Sequence, residues 1–238
     1  EIGAFIWDSR DDYVKSLTSF EGGIEIALDT GRKPVIFADS GDNPGGGGSG
    51  RTTGLLSALL ASDAQNILYG SFFDPALARD AHAKGIGTSF MAVFNQDRNE
   101  TAWEQWDEPL GVEATVIGLH HGEIVGRLGM MAGRKLSLGP CALLEIAGVR
   151  VVVISERAQT ADPVFFEMFD QDIAAAHTII VKSRGHFRAG FAPWFDGSNI
   201  YEIDTVGLTS PVLSRWDFKN VPQSSFPFQT KAEWKRYR

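Results

Sequence analysis

Asp39-Ser40-Gly41-Asp42-Asn43-Pro44-Gly45-Gly46-Gly47-Gly48-Ser49-Gly50-Arg51-Thr52-Thr53 lies between two apolar runs of different period. Before it, Pro34-Val35-Ile36-Phe37-Ala38 is short and continuous, the pattern of a buried strand. After it, Leu55, Leu56, Leu59 and Leu60 fall on one face of a helix expected to start near Thr52 and run to about residue 62. The order is strand, glycine-rich turn, helix. Six of the ten residues from Gly41 to Gly50 are glycine, so the backbone can take positive φ and a ligand can approach without meeting a Cβ. A helix start also carries free N–H groups that favour an anion.

The residues that follow extend this unit. Asn66–Phe73 reads as a second strand, Asp74-Pro75 as a cap with proline at the first helical position, Ala76–Ala83 as a helix and Gly85 as its end. The βαβα rhythm predicts a partly parallel α/β layer. From about 88 to 155 the rhythm changes. Strands are expected at Thr88–Phe94, Val112–Leu119, Lys135–Ile146 and Val149–Ser155, with turns at His121-Gly122-Glu123 and Ala147-Gly148 suggesting antiparallel hairpins. A polar, Trp-containing stretch from Asn95 to Pro109 interrupts them. A helix over about 163–176, a strand at His177–Val181 and a last strand at Asn199–Val206 return the chain to α/β. Residues 1–29 read as a helical lead-in broken at Gly22-Gly23, and the tail from Ser210 as loop. The expected fold is one α/β domain over 1–238: a mixed, partly parallel sheet flanked by helices, with a β-rich antiparallel insertion at about 88–155.

Composition narrows the function. The chain has 238 residues, 43% hydrophobic and 22% charged, which suits a globular domain with a substantial core. A net charge of −8 speaks against nucleic acid or an anionic membrane as partner, since both need a basic face. The one basic cluster, Lys231, Lys235, Arg236 and Arg238, reads first as a solvated tail. No apolar run approaches the roughly 20 residues of a membrane span. Cys141 is the only cysteine, so neither an internal disulfide nor a CxxC metal pattern can form. With no signal peptide in view, a cytoplasmic location is the expectation, although the chain opens on Glu1 rather than Met.

Four motifs bear on chemistry. Gly45, Gly50, Arg51 and Thr52 come within one residue of a Walker A loop, but arginine stands where that motif needs lysine, and the two differ in shape and reach. No strand ending in Asp offers a magnesium partner. His82, His120, His121, His177 and His186 are all the histidines, and none lies in HExxH or at ligand spacing, so no metal ligands are expected in this chain. Ser40 and Ser49 sit in a tight turn without a G-x-S-x-G elbow or an identifiable base. Ile179-Ile180-Val181-Lys182-Ser183-Arg184-Gly185-His186-Phe187-Arg188 is a buried strand that ends in cations and donors. In open α/β sheets ligands bind outside such strand ends. Its pairing with the glycine loop, also at a strand end, points to a shared cleft.

These residues together resemble the C-terminal half of the microcystinase C (MlrC) family of metallopeptidases. The resemblance rests on Asp39-Ser-Gly-Asp-Asn-Pro-Gly-Gly-Gly-Gly with Thr52-Thr53, and on Ile6-Trp7-Asp8-Ser9-Arg10. It extends through Asp74-Pro75, His82 and Gly85-Ile86-Gly87, through Arg157, Gln159 and Asp162, through Val181-Lys182-Ser183 with His186-Phe187-Arg188-Ala189, and through Asp204-Thr205-Val206-Gly207. The chain departs from the family pattern at Arg51, Asn95–Glu100, Met168-Phe169-Asp170 and Val206, the last standing where the family has proline. The resemblance implies a zinc-dependent hydrolase of small or linearised peptides, in which zinc polarises the amide carbonyl and activates water. It further implies that the zinc ligands lie in an N-terminal domain which this chain lacks, so that the chain alone is expected to be inactive and to have that domain as its partner.

Positions come from the resemblance, and roles from chemistry. Asp39, Asp42, Asn43, Gly45, Gly46, Gly47, Gly48, Arg51 and Thr52 are expected to form the substrate-side loop, with backbone N–H groups facing a substrate carboxylate. Lys182, Ser183 and Arg188 would add charge-assisted contacts, with His186 in a supporting catalytic role. The alternative is a non-catalytic module whose 39–53 loop holds a phosphate- or carboxylate-bearing ligand. A scaffold or homo-oligomer element is a third reading.

Overall fold

The structure, a computed structural model, describes residues 1–14, 16–32, 34–99, 105–221 and 225–226. The basic cluster Lys231, Lys235, Arg236 and Arg238, and residues 100–104 of the Trp-containing stretch, lie outside the described residues.

The elements in chain order are α1 (Ile2–Asp8), α2 (Phe20–Leu28), β1 (Val35–Asp39), α3 (Gly54–Leu60), β2 (Ile67–Phe73), α4 (Pro75–Lys84), β3 (Ser89–Phe94), β4 (Leu110–His120), β5 (Glu123–Val125), β6 (Lys135–Ser137), β7 (Cys141–Ile146), β8 (Val149–Ile154), α5 (Val164–Glu167), β9 (Thr178–Val181), α6 (Phe187–Phe191) and β10 (Ile200–Ile203). Eight strands make one sheet in the order β10-β1-β9-β2-β8-β7-β4-β3, and β5 and β6 pair separately. From β10 to β8 all neighbours are parallel. From β8 to β3 they are antiparallel. Of the strands in the 88–155 stretch, β3, β4, β7 and β8 thus continue the sheet that the parallel strands begin, while β5 and β6 stand apart from it.

The parallel strands read as unbroken apolar runs because both faces are covered. Alternate residues point to opposite sides: Val35 and Phe37 of β1 pack with Leu55, Leu56 and Leu59 of α3 and Leu77 of α4, whereas Ile36 and Ala38 pack with Phe165, Phe166, Phe187 and Phe191. Burial of each of these valine, leucine, isoleucine and phenylalanine side chains stabilises the fold by roughly 1.5–3 kcal/mol before chain entropy is counted. The predicted cap at Asp74 is present: its Oδ1 accepts from Leu77 N at 2.9 Å, with Pro75 opening α4.

The connections place a crevice. β1 leaves through α3 on one face and returns to the sheet as β2, stepping over β9. β9 leaves through α6 on the other face and returns as β10, stepping over β1. Neighbouring strands that depart to opposite faces open a gap at their carboxyl ends, which is the topological switch point where α/β sheets bind ligands. The glycine-rich loop follows β1, and Lys182 to His186 follow β9.

Several boundaries differ from expectation. The helix expected over 163–176 is only α5 and a separate 3-10 turn at Ile173–Ala175; between them Asp170 takes φ of 57°. The strand expected over Lys135–Ile146 divides into β6 and β7, because Gly139 at positive φ and Pro140 break it and β6 pairs with β5. The turn at His121-Gly122-Glu123 therefore makes no hairpin between β4 and β5, whereas Ala147-Gly148 does join the antiparallel pair β7 and β8. Gly22-Gly23 does not break the lead-in: α2 runs through both, and Gly23 lets it lie on Ile203 of β10. The last strand is confined to Ile200–Ile203.

Candidate functional site

The glycine-rich loop is anchored from below by a buried charge cluster. Lys182, at the end of β9, has no solvent exposure. Its Nζ donates to Asp39 Oδ2 at 3.0 Å, Asp42 Oδ2 at 2.8 Å, and the backbone oxygen and Oγ1 of Thr52, both at 3.0 Å. Asp39 Oδ1 accepts from Thr205 Oγ1 at 2.6 Å, and the same hydroxyl oxygen accepts from Gly41 N at 2.7 Å. Burial works against charge on Lys182, but the two carboxylates outweigh it and hold the ammonium well above the usual lysine range. Burial also pushes the Asp39 carboxyl up, partly offset by Lys182. At Asp42 the balance reverses. Burial would raise it, yet Lys182 and the amides of Thr52 and Gly50 together hold it below the ordinary aspartate value.

Asp42 closes the loop on itself. Its Oδ1 accepts from Gly50 N at 2.7 Å and its Oδ2 from Thr52 N at 2.9 Å. Gly45 N donates to Asn43 Oδ1, Gly46 N and Gly48 N to Asn43 O, Gly47 N to Pro44 O, and Arg51 N to Ser49 Oγ. The amides that a phosphate loop would offer to its ligand are thus already engaged, with the Asp42 carboxylate where an anion would otherwise lie. This counts against a phosphate- or carboxylate-binding module built on the loop amides.

The sequence-predicted residues therefore divide. Asp39, Asp42, Thr52, Lys182 and Ser183 are brought together but buried. Arg51 turns away from the switch point: its Nε donates to Asn95 Oδ1 at 3.0 Å, and it pairs with Asp97. Gly45, Gly46 and Gly47 are exposed, and Gly48 is buried. Asn43, His186 and Arg188 meet at a cleft of about 310 Å³ that is also lined by Gln159, Arg184, Gly185 and Glu202. Arg188 Nη2 donates to Glu202 Oε1 at 2.8 Å, and Arg184 Nε lies 3.6 Å from Glu202 Oε2. His186 is exposed, with Nδ1 2.9 Å from Gln159 Oε1.

Sequence reasoning missed Gln159 as a site residue, although it sits in the Arg157–Asp162 stretch, and missed Arg184, Glu202 and Thr205. Glu202 lies on the edge strand β10 and Thr205 two residues beyond its end, and only the β10–β1 pairing brings them to the loop. Gly45 carries the one legible signal: a Cβ there would stand 2.2 Å from Gln159 Oε1, so glycine is required for that amide to approach. The histidines are dispersed, His82 on Cys141 O and His177 on Asp29 O. Among the described residues, no group of three His, Cys, Asp or Glu side chains is placed to hold a metal ion. No described helix is long and apolar enough to cross a membrane.

Fold and site together define a mixed α/β domain with a polar cleft at its switch point. Residues 37–220 match the family described as MlrC C-terminus, and the chain belongs to that family. Microcystinase C of Sphingomonas sp is 30% identical over 173 residues, which is 73% of this chain and 32% of that protein. A crystal structure of a protein described as a candidate metallopeptidase, from Mesorhizobium sp. BNC1, superposes with a TM-score of 0.77 at 21% identity, covering 97% of this chain and 44% of that one. The chain thus spans about a third of the first relative and less than half of the second. The low identity of the latter makes its likeness one of fold.

Proposed function

We propose that this chain is the cleft-forming C-terminal domain of a zinc metallopeptidase that hydrolyses amide bonds of small or linearised peptides. The observation that carries the reading is the switch-point cleft itself, where the stretches shared with the family, Asp39–Thr53, Arg157–Asp162 and Val181–Ala189, converge on one polar wall. In this reading Asn43, His186 and Arg188 face the substrate, joined by Gln159, Arg184 and Glu202. Asp39, Asp42, Thr52, Lys182, Ser183 and the loop glycines hold that wall in shape. The described residues do not fit a zinc site, because Asp39 and Asp42 are spent on Lys182 and the histidines are scattered. The zinc ligands are accordingly assigned to an N-terminal domain of the same protein, and the part left to this chain is to bind and orient the peptide.

Two measurements test this. Full-length protein is expected to carry stoichiometric zinc and to cleave a linear peptide, with His186→Ala lowering kcat/KM by about 10²-fold, the scale of one lost acid–base or positioning group. Unchanged kcat and KM would remove His186 from the site. Zinc held tightly and stoichiometrically by this chain alone would overturn the assignment of the ligands.

A further inference from the structure

His186 has two ring nitrogens, and its neighbours decide which one carries the proton. The backbone amide of Gly45 can only donate, and that fixes every group linked to it. Gly45 N donates to the Asn43 side chain at 3.2 Å, so the atom facing it is Oδ1. That oxygen also lies 2.8 Å from Gln159, so the Gln159 atom there must be the donor Nε2. The second hydrogen of Nε2 goes to Ser183 Oγ at 2.8 Å. The amide's remaining atom, Oε1, can only accept, and it lies 2.9 Å from His186 Nδ1. His186 Nδ1 is therefore the protonated nitrogen.

We propose that Gln159, oriented by Asn43, is a positioning residue that fixes neutral His186 as the Nδ1–H tautomer and so presents its bare Nε2 to the cleft as a hydrogen-bond or proton acceptor for the substrate. The proposal rests on the reading of the cleft as substrate-side. Nε2 has no partner among the described residues, and the side chain is exposed at the cleft lined by Asn43, Arg184, Arg188 and Glu202. A histidine whose second nitrogen donates to a fixed amide oxygen is the arrangement by which proteins aim an imidazole lone pair. The glycine at position 45 belongs to the same device, since any side chain there would collide with Gln159 Oε1 and Cδ, at 2.2 and 2.5 Å. One relay thus joins the glycine-rich loop, the 157–162 stretch and the strand-end histidine.

The tautomer is read directly by ¹⁵N-edited NMR of the imidazole, in which protonated and bare ring nitrogens resonate far apart. With the ring in its neutral form, the expected result is a protonated Nδ1 and a bare Nε2. A neutral ring protonated at Nε2 instead would overturn the inference without any variant. Gln159→Met is expected to release the ring toward the Nε2–H form that free histidine prefers. Asn43→Asp keeps an acceptor for Gly45 N and for Gln159 Nε2 and is expected to preserve the wild-type signature. A Gln159→Met protein that retains the wild-type signature would overturn the assignment to Gln159. In the full-length protein Gln159→Met is expected to lower kcat by at least 10-fold and to add nothing to His186→Ala. Additive losses would show that Gln159 acts elsewhere. If wild-type protein cleaves no peptide at all, the proposed function fails, while the tautomer still decides the relay.

Discussion

Lys182 shows what a side chain's neighbours can do to its meaning. A strand-end lysine after Ile179-Ile180-Val181 reads as a ligand contact, and its chemistry suits that, but in the structure it is a fully buried tie between the glycine-rich loop and β9. The difference was not legible, because its partners Asp39 and Asp42 lie 143 and 140 residues away in the chain. Lys182→Met is expected to destabilise the protein by about 3–5 kcal/mol in denaturant titration, since it strands two buried carboxylates without their cation. Because the lysine's folded value is raised, its contribution is fully present below the unfolded lysine pKa of about 10.4 and is lost only as pH rises through the folded value. Asp42, held low, contributes above the unfolded aspartate pKa of about 3.9 and loses that contribution as pH falls through its folded value. Asp107 behaves oppositely. Burial pushes its carboxyl up to about 6; Oδ1 accepts from Ser49 Oγ at 2.8 Å, and Oδ2 has no partner among the described residues. The folded state therefore holds the proton more tightly than the unfolded chain, and stability falls as pH rises from about 4 through 6. Asp107→Asn keeps an acceptor for Ser49 and removes the charge. It is expected to gain on the order of 2 kcal/mol above pH 7 and nothing below pH 4, as read from denaturation midpoints across that range.

At the level of elements, the legible parts were those whose signal is local. The β1–loop–α3 unit, the Asp74-Pro75 start of α4 and the Ala147-Gly148 turn follow from period, capping and turn chemistry within a few residues. The misread parts are those decided by packing. The run from Ile173 to Ala176 is apolar because it covers the Phe165–Phe166 side of the sheet, and the same pattern also suits a helix continuing from α5. Lys135–Leu138 and Cys141–Ile146 each suit a strand on either side of Gly139-Pro140, but β6 pairs with β5 and only β7 enters the main sheet. The β7–β8 turn offers a test. Ala147 sits at φ of 46° and Gly148 at 86°, both in the left-handed region that a two-residue hairpin needs and that alanine resists. Ala147→Asn, which adopts that conformation readily, is expected to raise stability by about 1 kcal/mol, whereas a protein destabilised by the change would show that the turn is not of this type.

Across the whole molecule, the α/β class and the mixed character of the sheet could be read from the order of strands and helices, and the cleft from two polar strand ends. What could not be read was the strand order, because nothing within β1 or β9 says that each will be stepped over by the other's crossover. That interlocking has a consequence in time. β1 ends flanked by β9 and β10, whose residues lie some 140 to 165 positions later, so the strand that comes early in the chain is among the last to find its neighbours. The β3, β4, β7 and β8 strands close through far shorter loops and have no such wait. Pulse-labelling hydrogen exchange during refolding is expected to protect the amides of Cys141–Ile146 and Val149–Ile154 before those of Val35–Asp39, and simultaneous protection would refute that order. A chain emerging from the ribosome would meet the same sequence of events. The polar wall of the cleft would be assembled only once Ile203 is available, leaving Val35–Asp39 as an apolar segment in search of its place until then.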